Sequence, residues 1–88
     1  MNQALQVSFR RLVPSESLVV LARDRYQRLE LADASAFFVS LESHTALTVA
    51  EVRLEREGAP QASAEAAHAD PYQALDAALT ALEAQLLN

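Results

Sequence analysis

Ala62-Ser63-Ala64-Glu65, followed by Asp70-Pro71-Tyr72-Gln73-Ala74-Leu75-Asp76 and then Leu79, Leu82 and Leu86, reads as a buried strand leading into a capped amphipathic helix. Asp70 is placed to accept hydrogen bonds from the free N–H groups of the first turn. Pro71 occupies the one helical position at which a missing N–H costs nothing. Tyr72, Leu75, Leu79, Leu82 and Leu86 recur at steps of three and four, so they share one side of a helix of about 3.6 residues per turn. The strand before it, Gln61 to about Ala66, turns Ala62 and Ala64 toward the core, where their small side chains let a helix approach closely.

Working backward, Gly58-Ala59-Pro60 is a hairpin connection that holds the only glycine of the chain. Before it lies a strand at about Leu47 to Glu57, with Ala50, Val52 and Leu54 alternating against Glu51, Arg53 and Glu55. Another runs from Ala36 to Glu42, with Phe37, Val39 and Leu41 inward and Phe38 on the opposite face. Residues 31–35 are a short polar connection. Pro14-Ser15-Glu16 opens a first helix, with Ser15 as N-cap and Glu16 where the helix dipole favours an anion. This helix runs to about Leu29, and its apolar arc holds Leu18, Leu21, Ala22, Tyr26 and Leu29. Leu5, Val7 and Phe9 alternate with Gln6, Ser8 and Arg10 in a first, half-buried strand. The order β-α-β-β-β-α predicts an α+β two-layer sandwich, a four-stranded mixed sheet with both helices on one face. A helical crossover joins the first two strands, and an antiparallel meander forms the other three.

Length and composition narrow the function. Eighty-eight residues with 51% apolar content allow one domain, 1–88, with a modest core and no deep substrate cavity. The absence of cysteine excludes disulfides and thiolate metal sites and fits a cytoplasmic protein. No apolar run of about 18 residues suggests a membrane span, and Met1-Asn2-Gln3 lacks a signal-peptide start. All seven basic residues are arginines, at 10, 11, 23, 25, 28, 53 and 56. Residues 1–56 balance them with seven carboxylates, so the net charge of -5 lies wholly in residues 57–88. Nucleic-acid binders normally show the reverse balance, because phosphate contacts supply most of their affinity.

The order and the residues together resemble the ribosome hibernation promoting factor family, also called protein Y or ribosomal subunit interface (sigma-54 modulation) proteins, in its short form. The resemblance rests on Ser15-Glu16-x-Leu18, Arg25-Tyr26-x-Arg28-Leu29-Glu30, Ala62-Ser63-Ala64-Glu65, and Asp70-x-Tyr72-x-Ala74-Leu75-Asp76 with Leu79, Leu82, Gln85 and Leu86. It implies a non-enzymatic stress factor that binds the small ribosomal subunit and inhibits translation, with no cofactor. It also implies RNA contacts at Arg25 and Arg28, which match basic positions of the family; Arg10 and Arg11 extend the candidate set. The family presents Lys and Arg on the outward face of the second helix, where this chain has Ala81 and Ala84. The sequence also departs by a longer connection, Ala66-Ala67-His68-Ala69.

Other readings stand beside these. Arg25 falls within the apolar arc of the first helix, so its stem is equally suited to cover the core edge with its head in water. Arg28 also reads as a solvated surface charge, and Arg53 reads as ion-paired across strands with Glu51 and Glu55. Ala74, Ala77, Ala81 and Ala84 repeat at three, four and three. They reflect helix propensity or, together with exposed Phe38, a protein interface serving a homodimer or another partner. The second functional reading is therefore a diverged domain of the same fold that has lost rRNA binding and acts as an interaction module. His44 and His68 fall in predicted loops without metal-ligand spacing. No serine lies in a nucleophile elbow.

Overall fold

A computed structural model describes residues 4–29 and 35–87. It contains β1 (Ala4–Arg10), α1 (Glu16–Arg28), β2 (Ser35–His44), β3 (Leu47–Arg56), β4 (Ala62–His68) and α2 (Pro71–Leu86). The strands form one sheet in the order β1-β2-β3-β4. β1 runs parallel to β2, while β2, β3 and β4 are antiparallel neighbours. The predicted order and sheet are those observed. The polar connection read at 31–35 lies, Ser35 apart, outside the described residues.

Period-two alternation builds one apolar sheet face in rows. Phe37 pairs with Leu54, Val39 with Val52 and Leu41 with Ala50, and all six are essentially inaccessible to solvent. Leu18, Ala22 and Tyr26 of α1 and Ala74, Leu75, Ala78, Leu79 and Leu82 of α2 close over them. α2 packs chiefly on β3 and β4, and α1 lies toward β1 and touches α2. The Tyr26 ring stacks on Phe37 with centroids 5.0 Å apart. Its hydroxyl shares a buried 2.8 Å hydrogen bond with the Ser35 side chain, which pins the end of α1 to the start of β2.

Both predicted caps are formed. The Ser15 hydroxyl accepts from the Leu18 N–H at 3.4 Å, and the Asp70 carboxylate accepts from the Tyr72 N–H at 2.9 Å. The turn between β3 and β4 places Gly58 at φ +78, a region open to glycine at no steric cost. Between β2 and β3 the chain reverses through Thr45 and Ala46 alone, with Thr45 at φ 55.

Three expectations are corrected. Tyr72, at the first turn of α2, does not join the leucine face and is 44% exposed, while Leu86 is only half-buried. Ala74 and Ala78 fill the places closest to the sheet, at 0% exposure, because the backbone approaches where side chains are small. Residues 66–68 are no loop but a continuation of β4, paired through His68 with Thr48. His44 and His68 are thus the last residues of β2 and β4.

Candidate functional site

Arg25 and α2 meet at the seam between the two helices. Asp76, Thr80 and Glu83 follow one another at steps of four and three, which aligns them along one side of α2. Arg25 reaches across to all three. Its Nε and one terminal nitrogen hold the Glu83 carboxylate at 2.8 and 3.0 Å, a bidentate pair. The other terminal nitrogen meets Asp76 at 2.7 Å, and Thr80 Oγ1 accepts at 3.0 Å. Four of the five guanidinium N–H donors are therefore committed. The Arg25 side chain retains 14% exposure. The hydrogen bonds Arg25 donates to Glu83 are the largest cause raising its pKa further above the ordinary arginine value; partial burial works against this, and Asp76 adds to the rise. The reading in which the Arg25 head reaches open water is not met, since the guanidinium goes to α2.

The other arginines are dispersed. Arg28 is exposed at the last turn of α1, and Arg10 and Arg11 are exposed where β1 ends and turns toward the start of α1. A helix of this length holds those two points about 18 Å apart. Arg10 belongs to the sheet face away from the helices and Arg28 to the helix layer, so they do not form one patch. Arg10 is in register with Glu42, and Arg11 adopts φ 57.

On the face of the sheet away from the helices, Gln6, Phe38, Arg53 and Ser63 form one cross-strand row, and Ser8, Ser40, Glu51 and Glu65 form the next. The Arg53 guanidinium lies 4.5 Å from the Phe38 ring centroid, a cation–π contact. Its ion pair is with Glu55 on its own strand at 3.5 Å, not with partners across strands, and its Nε makes no hydrogen bond. The two rows border a shallow depression of about 250 Å³. Phe38 is thus half-covered by Arg53 rather than a free apolar spot.

The outer face of α2 exposes Ala77, Ala81 and Ala84. Ala74 is not on it, being buried in the core. α2 has no basic residue, and the first turn of α1 carries Glu16. Among the described residues no cluster of histidine and carboxylate side chains is arranged to hold a metal ion. No helix among them is long and apolar enough to cross a membrane.

Residues 5–88 of the chain match the family model of the sigma 54 modulation protein / S30EA ribosomal protein. The chain belongs to that family. The family is one of ribosome-associated, non-enzymatic factors. Among solved structures, a ribosomal subunit interface protein from Coxiella burnetii superposes with a TM-score of 0.80 at 19% identity, covering 93% of this chain and 91% of that one. The N-terminal domain of Thermus thermophilus Protein Y gives a TM-score of 0.78 at 25% identity, covering 97% and 94%. A comparison with curated proteins finds no significant match. Family membership was legible in the capping residues and helix spacing. The clasp on Arg25 was not, because the resemblance concerns sequence positions and the clasp depends on which face of α2 meets α1.

Proposed function

We propose that this protein is a cytoplasmic ribosome-hibernation factor, a single domain over residues 1–88, that docks on the small ribosomal subunit and inhibits translation. The observation that carries the reading is the family match over residues 5–88, joined to the fold it shares with the Protein Y N-terminal domain. On this reading Arg28, Arg10 and Arg11 are the rRNA contacts. Arg25 acts indirectly, by neutralising Asp76 and Glu83 on the helix layer. With roughly three phosphate contacts the affinity is modest, and its logarithm falls with that of salt concentration at a slope of about 2 to 3.

A second reading has a specific observation in its favour. One of the two cations of α1 that match the family, Arg25, is consumed by two carboxylates of α2, and α2 itself has no cation to replace it. A domain so arranged serves as a protein-interaction module through Ala77, Ala81 and Ala84 or through the sheet face around Phe38. Co-sedimentation with purified small and large subunits at low salt separates the two readings. The ribosomal reading expects the protein in the small-subunit fraction. It also expects loss of that binding when Arg10, Arg11 and Arg28 are changed together to Glu, with an unaltered thermal midpoint. Absence of the parent protein from the small-subunit fraction would overturn it and leave the interaction module.

A further inference from the structure

The two edges of the sheet are managed differently. β4 is covered along its inner side by α2, and Gln85 of α2 donates to the Ser63 backbone carbonyl at 2.6 Å, occupying a group that a further strand would need. β1 has α1 toward its inner side but no such cap on its outer edge. It pairs with β2 residue for residue from Ala4 to Arg10 without a bulge. It contains neither proline nor lysine and has no inward-pointing charge, the devices by which natural edges are usually blunted. Among the described residues no side-chain hydrogen bond reaches it. Its inward residues Leu5, Val7 and Phe9 are only half-buried, and Leu12 and Leu21 beside them likewise pack against the core without being enclosed.

We propose that the outer edge of β1 is an interface for a second copy of this chain, the two β1 strands pairing antiparallel about a two-fold axis through Val7. This register alone uses all seven residues of the strand. It sets Leu5 opposite Phe9 of the other copy and Val7 opposite Val7, so the two half-covered rows complete each other. On the open face it sets Gln6 opposite Ser8. Arg10, the only charge on the strand, falls opposite position 4 and not opposite itself. Centring the pair on Gln6 or on Ser8 leaves Phe9 or Leu5 unpaired. The result is an eight-stranded sheet with α1 of each copy flanking the join and β4 and α2 at the two far ends. A two-fold contact of this kind is closed and stops at two copies.

Sedimentation equilibrium over micromolar to millimolar protein tests the interface with three proteins. The parent chain is expected to approach a dimer. Gln6→Lys with Ser8→Lys places like charges opposite each other on the exposed face and is expected to be monomeric, as is Gln6→Glu with Ser8→Glu. An equimolar mixture of these two variants is expected to restore a dimer, because opposite charges then face each other across the join. Circular dichroism of each variant checks that the fold is kept, since neither side chain enters the core. A parent chain that stays monomeric, a lysine variant that dimerises like the parent, a mixture that stays monomeric, or growth beyond two copies would each overturn the proposal.

Discussion

Replacing Arg25 with Met keeps the aliphatic stem over the core edge and removes all four hydrogen bonds of the clasp. The Asp76 carboxylate is 61% exposed, so its arm is screened like a surface pair and contributes about 0.5 kcal/mol. Glu83 is 30% exposed and held bidentately. Charge-assisted bonds in that setting contribute about 1.5 kcal/mol. Thr80 is fully replaceable by water and adds little. The expected loss for Arg25→Met is thus about 2 kcal/mol, a large fraction of the stability of a domain this size. Arg25→Lys recovers less than half, because a single ammonium cannot meet two carboxylates in the fork geometry. Urea denaturation of Arg25→Met, Glu83→Gln and the double variant should give a coupling energy of about 1 kcal/mol, with Asp76→Asn coupling more weakly and losing its effect first as salt is added. A folded-state pKa raised above its unfolded value contributes stability that is present below the unfolded pKa. It is lost only as pH rises through the folded one, so the clasp should persist at every alkaline pH the fold survives. Coupling to Glu83 below about 0.3 kcal/mol would refute the clasp as a structural element.

Two further outcomes follow from the core. Leu79→Ala, at a position 1% exposed between α2 and the sheet, should cost about 2 to 5 kcal/mol by chemical denaturation, and a loss below about 1 would mean that α2 does not pack as described. Ser35→Ala leaves the buried Tyr26 hydroxyl without its 2.8 Å partner and should cost about 1 to 2 kcal/mol, whereas Ser35→Ala combined with Tyr26→Phe should recover part of that loss by removing both polar groups.

The strands and caps were legible because each depends on near neighbours in the chain. Alternation at Phe37, Val39 and Leu41 and at Ala50, Val52 and Leu54 fixed which side of the sheet is buried. Ser15 and Asp70 fixed where the helices begin. Alanine defeated the same reasoning, since it favours helices on the surface and close packing in the core alike. Ala74 was accordingly placed on the wrong face, and the strand was ended at about Ala66 although the backbones of Ala67 and His68 extend the ladder of β4. The turn at Thr45 has no glycine to announce it. The largest gap concerned Arg25, whose partners lie more than fifty residues away. Their spacing on α2 is visible in the sequence, but the matching face of α1 emerges only once both helices are laid in the same direction on one sheet.

That common direction follows from the parallel pairing of β1 with β2 and gives the chain an order of assembly. β2, β3 and β4 can zip together through two tight reversals, and α2 folds back at once onto the strands it follows. Ala4 meets Ala36 only after α1 has carried the chain the full length of the sheet, and closing so long a loop is slow compared with hairpin formation. The meander with α2 is therefore expected to form first, with β1 and α1 added later, an order that pulse-labelling hydrogen exchange during refolding checks. Arg25 sits on the boundary between the two halves, so the clasp acts as the latch by which the late half is held to the early one.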